Sequence, residues 1–419
     1  MLYLAAVIYL SVLYIRPAEI VPSLETVPLV DWLTIVSTLI MVGTIFVRPR
    51  RLSVSAMDGW VLLFWVAIVV SNLAWGWFGG AYMGFTEFAP VVFFYLLVRV
   101  AIDTPERLRG FAHVFVFLNV LLAINGIVQY HTGVGIGNVT TVGLENRIRG
   151  TGIFNDPNDL GMTLVMAVPL LLWVVFESAR PLWHRVLAIV LSAPIVTAIA
   201  YTSSRGAMLG LCAVAMVFAL RRFRMIPALT FGAVAVSGVM LLGGTRAQAM
   251  TSQENSAQSR IEAWGQGLMM LKSKPVFGVG YGRFTEFHNK VAHNSFIQTA
   301  AELGLFGALI FIARYDTLFR ILNRGRKGAA ALAPTLSPSW MNAMIAAGAG
   351  MLVCGFFLSR QYVAVPFILL AMAGSIDGLV PKASGGTMPP FLWSGTRAVG
   401  LFFATLGAVY VMVLTMGAW

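Results

Sequence analysis

Hydrophobic positions along this chain come in long blocks, not in alternation. Apolar runs of roughly the length of a bilayer-crossing helix, about 20 residues, repeat along the whole chain, separated by short polar stretches. Thirteen runs are read as candidate spans: 1–15, 29–47, 59–78, 85–102, 111–130, 160–176, 184–201, 206–220, 225–242, 294–313, 341–358, 361–380 and 397–416. The first lacks a basic leader and a small-residue cleavage site, so it reads as a retained helix. The gap between 201 and 206 is so short that its two flanking spans form a hairpin. Two gaps are long, 131–159 and 243–293. The second contains "RIEAWGQGLMMLKSKPVFGVGYGRF" (260–284), which begins as an amphipathic helix with Trp264 and the methionines at an interface, and whose "GVGYG" reads as a turn. The pattern predicts one multipass all-α membrane domain over residues 1–419.

Composition agrees and removes other classes. Hydrophobic residues are 58% of the chain and charged residues 11%, against about a quarter in soluble domains. The net charge of +12 would fit nucleic acid in a soluble protein, but here it is read as topology, with no nucleic-acid partner. Alternate gaps hold Arg48, Arg50 and Arg51; Arg107 and Arg109; Arg180 and Arg185; Arg221, Arg222 and Arg224; and Arg320, Arg324, Arg326 and Lys327. These mark the cytoplasmic side, which puts the N-terminus inside, the C-terminus outside on a count of thirteen, and both long gaps on the outer face. Cys212 and Cys354 lie in apolar runs and read as packing residues.

The outer face nevertheless carries basic residues. The 243–293 gap holds Arg246, Arg260, Lys272, Lys274, Arg283 and Lys290 against Glu254, Glu262 and Glu286. Arg147 and Arg149 lie in "ENRIRG", and Arg205 in the tight hairpin "YTSSRGAM". Long loops translocate despite such charge; alternatively, the guanidinium groups gather to bind an anion at the membrane surface, as their forked donors suit phosphate oxygens. In "GIFNDPNDLG" (152–161), Asp156 or Asn158 can cap the following helix, and Asn155 or Asn158 can equally bond a sugar. In "VAHNSFIQTAAELGLFG" (291–307), His293 stands at the mouth of a span, and Asn294, Gln298 and Glu302 share one helix face. A carboxylate as deep as Glu302 needs a partner, and Gln298 reads as an interhelical hydrogen bond. The acidic residues of the outer loops lack a companion His or Cys cluster, so no metal site is expected.

These pieces together resemble the bacterial O-antigen ligase and Wzy-type polymerase superfamily of membrane glycosyltransferases. His293, Asn294, nine residues, then Gly304 and Gly307 fit the ligases' spacing. "TSSRGA", "SRIEAW", "FNDPNDLG" and "YIRPAEIVPSL" (14–24) resemble further segments, and the likeness covers roughly residues 14–310. It implies a GT-C-like bundle of about 12–13 transmembrane helices with a large periplasmic loop. It implies a periplasm-facing site in the inner membrane, an undecaprenyl-pyrophosphate-linked glycan donor, and inverting transfer without metal or cofactor. Arg205, Arg260 and His293 are then the catalytic candidates. Arg147, Arg149, Asn155, Asn158, Asn294 and Glu302 are candidates for substrate binding.

The chemistry suits these residue types. A hydroxyl acceptor needs a base, and histidine is the natural one near neutral pH. Arginines would hold the charge growing on pyrophosphate, and Arg205 and Arg260 would also keep the imidazole neutral. The spacing after His293 favours a ligase acting on lipid A core or a similar acceptor. A polymerase joining repeat units is the alternative, with a protein O-glycosyltransferase or a transporter or flippase behind it. A transporter would place its charges near the midplane, whereas here they gather at one face.

Overall fold

A computed structural model describes residues 1–47, 54–143, 146–177, 180–242, 255–328, 336–383 and scattered positions between 396 and 411. The apolar blocks become helices. In chain order they are α1 (Leu2–Ile15), α2 (Leu29–Val47), α3 (Ala56–Leu73), α4 (Phe78–Ala101), α5 (Pro105–Thr132), α6 (Pro157–Phe176), α7 (Leu182–Tyr201), α8 (Arg205–Arg222), α9 (Met225–Leu242), α10 (Asn255–Ser273), α11 (Ser295–Lys327), α12 (Pro338–Phe356) and α13 (Ala364–Ala383). Twelve of these match expected spans, and α10 is the helix of the long loop. The expected span 397–416 lies largely outside the described residues, as do Arg48, Arg50, Arg51, Arg246 and Glu254.

The fold is an all-α polytopic membrane bundle. Among the described residues, nine helices are long and apolar enough to cross a membrane, namely α1 to α7, α11 and α12. That is fewer than the twelve or thirteen expected. α8 carries Arg205, Arg221 and Arg222, while α9 and α13 supply only the shorter apolar stretches Met225–Val234 and Ala364–Val380. The described residues contain no strand, only the isolated bridges Val134–Thr140 and Val142–Arg147.

Polar residues set the helix starts, as capping requires. Ser55 and Asp58 form a capping box at α3, and the side chains of Thr104, Asp156, Ser204, Asn294 and Ser337 accept the first amides of α5, α6, α8, α11 and α12. At the centre, α12 packs along α8 and α6. A side chain at Gly350 would stand 2.5 Å from Val214 and 2.8 Å from Val165, so glycine lets these backbones approach. Cys354 is buried at the same seam, and both cysteines are unbonded. Arg314, fully buried in α11, lies over the rings of Phe64, Phe311, Tyr315 and Phe367 at 4.2, 4.6, 5.1 and 5.1 Å, an arrangement that lowers the cost of burying a cation.

The helix that carries the site is broken. Gly304 holds φ 66° and ψ −165° inside α11, which interrupts its hydrogen-bond ladder. Residues 275–280 of the long loop fill the gap. Val279 and Gly280 donate to the carbonyls of Ala301 and Glu302 (both 2.9 Å), and Leu305 and Phe306 donate to Pro275 (2.7 Å) and Val276 (3.1 Å). Backbone polar groups freed at membrane depth must find protein partners, and this strap supplies them. A side chain on Gly304 would meet the Val276 carbonyl at 2.3 Å, and one on Gly278 (φ 70°) the Glu302 backbone at 2.4 Å. Gly304 is therefore the hinge of the break, and "GVGYG", which reads as a turn in the sequence, belongs to the strap that docks into it.

Candidate functional site

The two long loops, the α7–α8 hairpin and the α12–α13 loop meet at one end of the bundle. His293 stands there in the left-handed region at φ 48°, a conformation uncommon outside glycine. Asn294 follows in extended conformation and caps α11, its Oδ1 accepting from Phe296 (2.9 Å) and Ile297 (3.2 Å). The pair thus divides the work: Asn294 is fully buried in the cap, and His293 stays half-buried at the mouth. The preceding residue is tied to α10, because Trp264 Nε1 donates to the Ala292 carbonyl at 2.8 Å. That bond, with the ring packed on Phe356, buries Trp264; Met270 is buried beside it, while Met269 stays exposed, so of the residues expected at an interface Trp264 and Met270 pack inward. Arg260 sits about one turn before Trp264 on the same helix.

A chain of side-chain bonds links the remaining pieces. Arg147 Nε donates to the Thr202 carbonyl in the α7–α8 hairpin (2.9 Å), and its Nη2 donates to Asn158 Oδ1 (3.2 Å). Asn158 Nδ2 donates to Asp156 Oδ1 (2.8 Å), and Asp156 is the cap of α6. One residue on, Asp159 forms an ion pair with Arg360 Nε. The Arg360 amide donates to Ser295 Oγ (3.0 Å), and that hydroxyl donates to the Leu358 carbonyl (2.6 Å). The hairpin of Arg205, the Asp156–Asp159 turn and the His293 end of α11 are therefore held in one connected cluster.

The electrostatics converge on His293. Burial first, then the Arg260 and Arg360 guanidinium groups and Lys290, lower its pKa from the ordinary 6.5, with Asp156 opposing. The two guanidinium groups acting most strongly are thus Arg260 and Arg360, and Arg360 takes the place expected of Arg205. Burial also works against the Arg360 charge, but its bond to Asp159 and the Asp156 charge outweigh it, so its pKa is raised. A neutral imidazole beside fixed cations can accept a proton and can lie close to an anion.

The remaining candidates are placed as follows. Arg205 opens α8, one residue after the capping Ser204. Arg149 turns into its own loop, with Nε on the Thr140 carbonyl (2.8 Å) and its amide on Gln129 Oε1 (2.8 Å). Asn155 is exposed at the end of a single 3₁₀ turn, Gly152–Phe154. Glu302 is buried with both oxygens occupied, accepting from Gln298 Nε2 (3.0 Å) and the Tyr362 hydroxyl (2.8 Å), and the Gly282 and Phe284 amides face it. Its backbone carbonyl accepts from the strap at Gly280 and its side chain from Gln298 and Tyr362. Sequence reading missed Arg360, Asp159 and Tyr362. Arg360 carried a signal, being an isolated arginine in the gap between the runs 341–358 and 361–380, on the outer side that also carries Arg147, Arg205 and Arg260.

A family model described as O-antigen ligase matches residues 187–312. Over that interval the chain is similar to the O-antigen ligases. The match supports the O-antigen ligase and Wzy-type superfamily that the motifs resemble. The matched interval of this O-antigen ligase-like chain runs from α7 into α11 and contains Arg205, Arg260, His293, Asn294 and Glu302. Arg147, Arg149, Asn155, Asn158 and Arg360 lie outside it. No curated protein matches the chain.

Proposed function

We propose that this protein is a glycosyltransferase that moves a glycan from undecaprenyl pyrophosphate to a hydroxyl acceptor, lipid A core or a similar glycan, at the periplasmic face of the inner membrane. The observation that carries the reading is the placement of His293 beside Arg260 and Arg360 at the mouth of α11. Supporting the choice of face, the basic residues at the start of α5, at the ends of α8 and α11 and in the α6–α7 loop gather at the opposite end. The donor's tail stays in the bilayer while its pyrophosphate reaches the arginines.

In the step proposed, the acceptor oxygen attacks the anomeric carbon from the side opposite the leaving group. The new C–O bond forms as the bond to pyrophosphate breaks, which inverts the anomeric centre. His293 takes the acceptor's proton, and Arg260 and Arg205 hold the charge left on undecaprenyl pyrophosphate. Asn158, which accepts from Arg147, bonds the glycan in this reading.

The test is transfer by purified protein from a synthetic undecaprenyl-pyrophosphate-linked oligosaccharide, offered lipid A core or donor alone, with and without chelator. Product on lipid A core, unaffected by chelator and lost in His293→Ala, Arg205→Ala and Arg260→Ala, supports the ligase. A ladder of longer glycans from donor alone makes the protein a polymerase. Loss of product on chelation overturns the metal-independent step, and no transfer under either condition by folded protein overturns the reading.

A further inference from the structure

Arg360 comes from the α12–α13 loop, outside both the matched interval and the segments that resemble the family, yet it touches two of the site's three pieces. Its amide holds Ser295, two residues after His293. Its side chain reaches Asp159, three residues after the Asp156 cap. The side chain is 30% exposed, and its Nη1 donates to the Ser359 carbonyl at 3.2 Å. We propose that Arg360 is a positioning residue of this site, fixing the His293 end of α11 against the N-terminal turn of α6 through Asp159 and presenting its charge to the imidazole. The inference rests on the transfer reading for its kinetic consequence but not for its geometry.

Geometry supplies the argument. Arg360 links the two helix ends, its side chain on Asp159 of α6 and its amide on Ser295 of α11, whereas Arg147 joins α6 to the hairpin and Trp264 joins α10 to Ala292. The charged groups facing His293 are Arg260 from α10, Lys290 on its own loop, Asp156 from the α6 cap and Arg360 from the α12–α13 loop, with Asp159 paired to Arg360. Substituting the Arg360 side chain removes one bridge and one charge, and leaves the backbone bond to Ser295 in place.

The test uses the full chain in lipid nanodiscs, as wild type, Arg360→Gln, Arg360→Lys and Asp159→Asn. The first readout is carbethoxylation of His293 by diethyl pyrocarbonate against pH, followed by peptide mass spectrometry. The reagent acylates neutral imidazole and needs no substrate. Arg360→Gln should move the midpoint for His293 to higher pH, Arg360→Lys should keep it, and Asp159→Asn should move it down or leave it. The second readout is transfer from the synthetic donor: kcat should fall by about tenfold to a hundredfold in Arg360→Gln and Asp159→Asn, the size expected of a misplaced reacting group. KM for donor should change less.

A midpoint unmoved in Arg360→Gln, whatever happens to kcat, overturns the proposal, because a purely structural role predicts that result. If Arg360→Gln does not fold, the Lys and Asn variants decide: a raised midpoint in Arg360→Lys, or unchanged kcat in Asp159→Asn, also overturns it. If the midpoints move as stated and wild type transfers no glycan, the transfer reading falls and the placement of Arg360 stands.

Discussion

Two ion pairs, one at each end of the bundle, are built to opposite plans. At the end away from the loops, Asp58 of α3 accepts from Arg99 Nε (2.8 Å) and Nη2 (3.1 Å), the Tyr95 hydroxyl (2.6 Å) and the Ser55 amide (2.8 Å). Ser55 Oγ then donates to Asp377 Oδ2 (2.8 Å), so α3, α4 and α13 are fastened together. The Arg99 side chain is only 6% exposed and meets Asp58 with both prongs. At the loop end, Arg360 meets Asp159 through one nitrogen and stays partly open. Arg260 and Lys290 add positive charge around His293, with Asp156 opposing. A carboxylate that matches its arginine fork for fork closes a seam. A cluster whose cations act together on one imidazole favours an anion and disfavours a protonated histidine.

The comparison breaks if either end behaves like the other. The largest effect belongs to His293→Ala. Transfer should fall by about 10²- to 10⁴-fold, the contribution of a positioned base, while the unfolding midpoint stays near wild type. Retained transfer in reconstituted membranes would remove His293 from the chemistry. Asp58→Ala should do the reverse. It strands Arg99 in the bundle and should cost about 3–5 kcal/mol of stability, read by denaturant or thermal unfolding, with turnover per folded molecule preserved. A loss of turnover without loss of stability would put Asp58 in the reaction and erase the distinction.

Gly304→Ala should cost at least about 1–3 kcal/mol, since φ 66° with ψ −165° suits glycine alone and the new side chain meets the Val276 carbonyl. Limited proteolysis should then cut near residues 275–282, and a strap that stays protected would argue against the docking described. The pH profile sharpens the loop end further. Burial and the Arg260 and Arg360 charges lower the His293 pKa, so the base stays neutral below pH 6.5 and the acid limb of kcat/KM should lie below that value. By the same sign, the stability that His293 contributes is present above 6.5 and is lost as pH falls through its folded value. An acid limb at or above 6.5 would assign the limb to another group. The smallest effect is Asp156→Ala, which should cost about 1 kcal/mol as a lost cap and move the acid limb slightly lower, because Asp156 favours the charged imidazole.

Much of the bundle was legible in the sequence because bilayer-length apolar blocks leave few alternatives to helices. The hairpin at 201–206, the helix at the start of 260–284 and the capped turn before α6 were legible for similar local reasons. Trp264 was not: its amphipathic pattern marks an apolar face but cannot say whether lipid or protein covers it. Glu302 was readable as a carboxylate needing a partner, yet its partner Tyr362 is 60 residues away. The role of Gly304 was hidden too, since a packing glycine and a hinge glycine look the same until φ is known.

The chain's own order of residues determined the membrane class, the helices, the side on which arginines collect, and the His-Asn pair that caps α11 while leaving its histidine at the mouth. These depend on the period and length of apolar runs and on contacts within a few residues, which sequence carries directly. The tertiary structure decided which charges act on His293. Asp159 and Arg360 are 201 positions apart and meet because two helix ends converge, and the strap settles into α11 because a broken ladder must be satisfied by whatever backbone lies beside it. Spacing along a chain records neither, as both are consequences of three-dimensional closure.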